Sequence, residues 1–241
     1  LILVGGFLVL FLVLGIPLLL FETYLSKKDR QASLRQSTAV VRWAFRVVLF
    51  FSGTDIRAEG TEHVPEGEAV LFVGNHRSYF DIISTYSLLK EPVGFVAKSE
   101  MKKIPLLRGW MERIGCLFLD RRDAKEGLKT ILRAIEQVKE GTSVFIYPEG
   151  TRNRAQEPLE LMEFHDGSLK IAQKAGCLVV PVAIYGSDDI FERHVPFIRP
   201  SEVHIRFGEP FRTKDIPAEY SKRQGLYLRR VIQDMLRDMT H

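Results

Sequence analysis

The run Ala69-Val70-Leu71-Phe72-Val73-Gly74 carries no polar side chain at any position. A strand with one face in water alternates polar and apolar residues, so an unbroken apolar run of this length reads as a strand covered on both faces. Residues 78–89 then carry apolar positions at helical spacing. Ser78, with Asp81 three places on, resembles a capping box in which Asp stands for the usual Glu or Gln. His76 therefore falls between the carboxyl end of a strand and the start of a helix, at the edge where open α/β sheets bind their ligands.

The same alternation continues along the chain. Further strands are expected at 93–97, 116–119, 143–147, 178–185 and 203–207. Between them lie helical patterns, clearest in Leu128, Ile131, Leu132, Ile135 and Val138, with Gly141 as a stop, and again in Leu228, Val231, Ile232, Met235, Leu236 and Met239. This predicts an α/β fold, a largely parallel or mixed sheet flanked by helices. No internal repeat, low-complexity tract or interdomain linker interrupts it.

Residues 1–21 contain no charge, and Glu22 is the first. As one helix rising about 1.5 Å per residue, the run approaches the ~30 Å of a bilayer core. A secretory signal is the competing reading, but no small-residue cleavage site follows. Gly5, Gly6, Gly15 and Pro17 suit a membrane helix better than a soluble one. Lys27, Lys28, Arg30 and Arg35 come next and orient the downstream chain towards the cytoplasm. Residues 38–51 are apolar and aromatic apart from Arg42 and Arg46, which share one helical face. Too short to span, this second segment can lie in the interface, pair with the first as a hairpin in one leaflet, or pack on the globular domain. The expected division is a two-helix membrane anchor over residues 1–52 and an α/β domain over 53–241.

The net charge of +4 on 241 residues suits an anionic membrane surface or a phosphorylated substrate and demands neither. Cys116 and Cys177 both lie in apolar, strand-like runs and read as buried thiols rather than a disulfide, which fits a reducing compartment. Neither has metal-ligand spacing with a histidine, so no metal site is expected.

His76 and Asp81 are five apart and would face different ways within one helix. With His76 still outside it, the imidazole can fold back onto the first turn, where a carboxylate fixes the tautomer and leaves the other nitrogen free as a base. The competing reading makes Asp81 a cap and His76 a satisfied histidine. Glu149-Gly150-Thr151-Arg152 also follows a strand. Gly150 permits close backbone approach, Thr151 offers a hydroxyl, and Arg152 presents a planar fork suited to phosphate oxygens, with Arg154 nearby; a polar turn with solvated arginines is the alternative. The GxxxxGK[ST] order of a P-loop is absent. Lys98 ends another strand and converges on the same edge as a second cation, unless it is merely solvated. Residues 102–122 interleave Lys103, Arg108, Arg113 and Arg121 with Ile104, Leu106, Leu107, Trp110 and Met111, a pattern for a membrane surface, for donor phosphates, or for an ordinary amphipathic helix.

Taken in order, His76-x4-Asp81, Lys98-Ser-Glu100, Pro105, Gly109 and Gly115, Phe145-Ile-Tyr-Pro-Glu-Gly-Thr-Arg152 and Val180-Pro-Val182 resemble the glycerophospholipid acyltransferase family over about residues 55–210. The resemblance implies transfer of a fatty acyl group from acyl-CoA or acyl carrier protein to the sn-2 hydroxyl of lysophosphatidic acid. It implies no cofactor beyond that donor, with the bilayer and the two substrates as partners and no nucleic acid. His76 and Asp81 would be catalytic. Glu149 and Gly150 would shape the pocket, and Thr151, Arg152 and Lys98 would serve the acceptor's phosphate. Glycerol 3-phosphate or another lysolipid is the alternative acceptor, and a non-catalytic anionic-lipid-binding module the alternative role. Such a module would need the cations but not the His–Asp pair. A bacterial inner membrane is the expected location, with the catalytic domain on its cytoplasmic side. One departure stands out: many relatives have Phe-Lys-x-Gly where this chain has Phe164-His165-Asp166-Gly167, so a phosphate role there would require a protonated His165.

Overall fold

A computed structural model describes residues 1–120 and 122–240 of the chain. Its α-helices are α1 (Ile2–Leu14), α2 (Ile16–Lys28), α3 (Arg30–Ser52), α4 (Tyr79–Leu88), α5 (Pro105–Arg113), α6 (Ala124–Lys139), α7 (Lys170–Ala175) and α8 (Gln224–Met239). Its strands are β1 (Asp55–Glu59), β2 (Leu71–Gly74), β3 (Val93–Lys98), β4 (Leu117–Leu119), β5 (Ser143–Ile146), β6 (Val179–Tyr185) and β7 (Glu202–Phe207), in the spatial order β1-β7-β6-β2-β5-β3-β4. The five strands from β6 to β4 run parallel; β7 is antiparallel to β6, and β1 is parallel to β7. The sheet is thus mixed, and all six expected strands form. β1 is the additional one. It is an edge strand with four of its five residues exposed, so it carries no apolar run to announce it.

β2 lies centrally between β5 and β6, and all four of its residues are buried. Phe72 faces one layer with Phe95, Phe145, Val182 and Ile205, covered by Val48 of α3, Phe80 of α4 and Trp110 of α5. Leu71 and Val73 face the other with Val144 and Ile146, covered by Ala134 and Ile135 of α6, Ile171 of α7 and Leu228 and Ile232 of α8. That double cover is why the run is apolar at every position, each fully buried large side chain contributing about 1.5–3 kcal/mol. Phe72, Phe145 and Phe95 share one level of the ladder, and their rings stack at 5.8 and 4.8 Å across three strands. The parallel register brings the carboxyl ends of β2, β3, β5 and β6 to one edge.

The N-terminal run is not a single helix. α1 and α2 meet at Gly15 with a bend of 52°, and no single helix among the described residues is long and apolar enough to cross a membrane. The break has a local cause: Pro17 cannot donate an amide to the residue four back, and its ring crowds that carbonyl. α3 starts at Arg30, capped by Asp29, whose side chain accepts from Ala32 N at 2.9 Å; of the basic residues here, Lys27 and Lys28 end α2, and Arg30 and Arg35 lie in α3. One face of α3 buries Val41, Val48 and Leu49 in the core shared with the sheet, so this segment packs on the globular domain. Arg42 and Arg46 of α3 close the end of α4: Arg42 donates to the carbonyls of Leu89 and Lys90, and Arg46 to that of Ser87. A cation there also meets the negative end of the α4 dipole. On the outer side, Trp43, Phe50 and much of α1 and α2 stay exposed, Ile2 by 89% and Phe50 by 79%. Cys116 and Cys177 are free thiols, both raised in pKa by burial.

Candidate active site

Gly74 ends β2 where space is tight: a Cβ there would lie 3.0 Å from Phe145 Cζ and 3.2 Å from Val182 O. The chain then leaves the sheet, and Asn75 ties it to β6 by a reciprocal pair, Nδ2 donating to Ile184 O and Oδ1 accepting from Ile184 N, each at 2.8 Å. Next, His76 N donates to Glu149 Oε1 at 2.7 Å, and His76 O accepts from Asn153 N at 2.7 Å. The histidine backbone is thereby fixed by the segment after β5. α4 begins at Tyr79, with Ser78 as N-cap accepting from Phe80 N at 2.9 Å.

Asp81, fully buried, is where the two readings of the motif meet. Its Oδ2 accepts from Ser78 N at 2.8 Å and Arg77 N at 2.7 Å, and His76 Nδ1 stands 2.7 Å from the same oxygen. A carboxylate oxygen only accepts, so Nδ1 must carry the proton, and the neutral imidazole's lone pair is on Nε2. Asp81 therefore caps the helix and selects the tautomer at once. Its Oδ1 accepts from Ser187 Oγ, a buried hydroxyl just beyond β6. Nε2 makes no hydrogen bond among the described residues. Tyr147 lies flat against the imidazole, ring centroids 4.1 Å apart and planes at 16°, and burial holds its phenol neutral by raising its pKa. His76 thus has one fixed orientation and a free ring nitrogen.

Glu149 acts as a bracket. Its Oε1 takes His76 N and its Oε2 takes Met162 N at 3.0 Å. Burial raises its pKa, and the two amide hydrogen bonds offset part of that rise. Gly150 turns the chain at φ 77°, a left-handed conformation that favours glycine, and its N–H is already donated to Tyr147 O at 3.0 Å. It is thus engaged within the turn rather than free to stabilise an oxyanion. Thr151 is half-buried, and its side chain makes no hydrogen bond among the described residues.

Arg152 lines a cavity of about 590 Å³, its wall including Arg77, Tyr79, Arg154, Asp188, Glu192 and Arg193; Arg77 adjoins His76 in the chain, and His76 itself is not part of the wall. Four arginines against two carboxylates leave an excess of positive charge. Arg77 and Arg193 both pair with Asp188, at 3.0 and 2.9 Å, and Arg152 with Glu192 at 2.9 Å. Arg152 also lies over the Tyr79 ring at 3.8 Å and donates to its hydroxyl at 3.2 Å. Arg154 is exposed and has no ion pair among the described residues. Lys98 ends β3 on the same sheet edge, solvent-exposed and outside this cavity wall. His165 is exposed and also outside it, its backbone N donating to Pro148 O at 3.1 Å. Arg121 lies outside the described residues. Among those described, no cluster of three or more His, Cys, Asp or Glu side chains could hold a metal ion.

Sequence reasoning gave no role to Asn75, Tyr79, Tyr147, Ser187, Asp188 or Glu192. The last three come from the turn after β6, more than a hundred residues from His76. The signal for them was topological: a strand paired beside β2 in parallel delivers its following turn to the same edge.

The model of the acyltransferase family matches residues 55–185, from β1 to the end of β6. The 1-acyl-sn-glycerol-3-phosphate acyltransferase of Borreliella burgdorferi is 29% identical over 71% of this chain and 67% of its own length. A probable 1-acyl-sn-glycerol-3-phosphate acyltransferase of Mycoplasma pneumoniae is 30% identical over 73% of this chain and 69% of its own. A chloroplastic relative of the same name in Arabidopsis thaliana is 32% identical, and the match spans 49% of that longer protein. Among solved structures, the 1-acyl-sn-glycerophosphate (LPA) acyltransferase PlsC from Thermotoga maritima superposes with a TM-score of 0.78 at 26% identity, over 99% of this chain and 94% of that one. The oriented histidine, the arginine-rich cavity lined by its neighbour Arg77 and these likenesses lead to one assignment: the chain belongs to the acyltransferase family.

Proposed function

We propose that this protein transfers a fatty acyl group from a thioester donor, acyl-CoA or acyl carrier protein, to the sn-2 hydroxyl of lysophosphatidic acid, giving phosphatidic acid. The observation that carries the reading is the free Nε2 of an Asp81-oriented His76, together with a cavity lined by the adjoining Arg77 that holds an excess of arginines. The names of the relatives support the same acceptor.

In this reading the acceptor's phosphate enters the cavity against Arg152, with Arg154 adding charge, and its hydroxyl is presented to His76. Nε2 takes the hydroxyl proton as the oxygen attacks the thioester carbonyl. The imidazolium that forms is stabilised by Asp81. The tetrahedral intermediate collapses with cleavage of the C–S bond, and the leaving thiolate takes the proton back from the imidazolium. An ester and a free thiol result, and His76 is ready again. No covalent acyl-enzyme is needed.

The bilayer is the proposed partner of residues 1–52, with the α/β domain over 53–241 on the cytoplasmic face of a bacterial inner membrane. Support comes from the exposed apolar residues of α1, α2 and the outer side of α3, and from Lys27, Lys28 and Arg35 on the same helical layer. An amphiphilic acceptor would then reach the cavity from the membrane.

The test is an acyltransfer assay of purified protein with acyl-CoA and acyl carrier protein donors against lysophosphatidic acid, glycerol 3-phosphate and neutral lysolipids. Turnover of lysophosphatidic acid that vanishes in His76→Ala is the expected result. Turnover confined to another acceptor overturns the assigned substrate, and lipid binding without any turnover overturns the enzymatic reading.

A further inference from the structure

We propose that Glu192 is a positioning residue: it fixes the distance between the phosphate-binding guanidinium of Arg152 and the base His76. The inference deepens the proposed function and rests on Arg152 as the phosphate contact. Glu192 Oε1 accepts from Arg152 Nη1 at 2.9 Å and from Tyr79 N at 2.9 Å, and Oε2 accepts from Ser78 Oγ at 2.5 Å. Ser78 N and His76 Nδ1 in turn share Asp81 Oδ2. A continuous chain of short hydrogen bonds thus runs from the guanidinium through Glu192, Ser78 and Asp81 to the imidazole. One carboxylate ties the segment after β5 to the first turn of α4, and it does so from a third segment, the turn after β6.

A different role fits the same contacts less well. A carboxylate at a helix N-terminus beside an arginine can be a stand-in for the substrate's phosphate, displaced when the substrate arrives. Ser78, however, is fully buried beneath Glu192, so an incoming phosphate cannot take over that contact. Glu192 is itself largely enclosed, its side chain 18% exposed, and so forms part of the wall. Arg152, held by Glu192 at one nitrogen and by Tyr79 at its face and its other terminal nitrogen, has little freedom left to lose when a phosphate binds.

The experiment compares wild type, Glu192→Gln, Arg152→Ala and the double variant by kcat and KM on lysophosphatidic acid, by kcat/KM on a monoacylglycerol of the same chain, and by Tm. Gln keeps acceptor oxygen for Ser78 or Tyr79 and removes the charge that holds Arg152. The expected result is a roughly tenfold rise in KM for lysophosphatidic acid, from weakening one charge-assisted contact. The preference for lysophosphatidic acid over monoacylglycerol should fall by a similar factor, and the KM effect should be absent in the Arg152→Ala background. A lowered KM overturns the proposal, since Glu192 would then be a competing anion. Equal losses on both acceptors, with a lowered Tm, overturn it in favour of a purely structural cap. An Arg152→Ala protein with unaltered KM shows instead that the phosphate lies elsewhere, and with it the underlying reading fails.

Discussion

Replacing Asp81 by Asn separates its two roles, because the structure dictates how the amide must sit. Three donors converge on Oδ2: Ser78 N, Arg77 N and His76 Nδ1–H. With its NH2 placed there, Asn would set a donor against two backbone N–H groups, leaving both unsatisfied at about 1–3 kcal/mol each. The amide oxygen therefore occupies that position, and the NH2 faces Ser187 Oγ, which can rotate to accept. The amide oxygen still accepts from the Ser78 and Arg77 amides, so the structural cost should be near 1 kcal/mol, a Tm change of roughly 2–4 °C. The tautomer survives; what is lost is the negative charge beside the imidazolium that forms during acyl transfer. Two unit charges about 4 Å apart at an effective dielectric of about 20 interact by about 4 kcal/mol. The His76 side chain is only 14% exposed, so little solvent screening reduces this. The expected outcome is a kcat lower by about 10²–10³-fold, with KM for the acceptor within about twofold. The assay is steady-state acyltransfer on protein whose Tm has been measured. A kcat within tenfold of wild type at a preserved Tm would refute the reasoning, because the carboxylate's charge would then contribute under about 1.4 kcal/mol, far less than the ~4 kcal/mol expected.

Other perturbations address neighbouring contacts. Arg152→Ala should raise KM for lysophosphatidic acid roughly 10- to 100-fold with a smaller change in kcat, and Arg152→Lys should restore only part of it; unchanged kinetics would place the phosphate elsewhere. Glu149 has a raised folded pKa, so its ionisation costs stability that is absent at acid pH and grows as pH rises through that value. Gln at 149 cannot titrate and loses an acceptor for His76 N or Met162 N; wild type should melt higher, by a margin that widens as pH falls from 7 towards 5. A margin independent of pH would show that burial does not perturb this carboxyl. Replacing Ile2 and Phe50 together by Ser should weaken co-sedimentation with anionic lipid vesicles by roughly 10- to 100-fold, and undiminished binding would rule out that face. Gly74→Ala should lower stability by about 1–3 kcal/mol through contact with Phe145 and Val182, read as a Tm loss of several degrees.

The parts of this fold that were legible in the sequence are those whose cause is local. β2 announced itself because both its faces are covered, α4 because its cap lies within four residues, and the Glu149-Gly150-Thr151-Arg152 turn because it follows directly on the apolar run of β5. β1 was not legible, since an edge strand exposed over most of its length has no apolar pattern to show. Nor was the bend at Gly15: glycine and proline mark a break, but composition alone cannot say whether a membrane helix tolerates them. Asp188, Asp189, Glu192 and Arg193 look in sequence like a solvated charge run. In the structure Asp188 holds Arg77 and Arg193, and Glu192 holds Arg152 and the end of α4. Their meaning depends on β6 lying beside β2, a pairing between segments a hundred residues apart.

The capping motif itself carried a clue in its departure from the usual pattern. A Glu or Gln at the fourth position of a capping box reaches back with one more methylene than Asp has. The shorter arm of Asp81 leaves its carboxylate over the entry to the first turn, where the amides of Arg77 and Ser78 and the imidazole of His76 point at one oxygen. A longer side chain could still satisfy Ser78 N, but it would carry the charge past the point where Nδ1 meets it. The cap alone therefore does not account for Asp at this position, whereas the imidazole does. Cap and base partner were never competing explanations: the helix start holds the carboxylate still, and the immobile carboxylate is what gives His76 a single tautomer and a fixed direction.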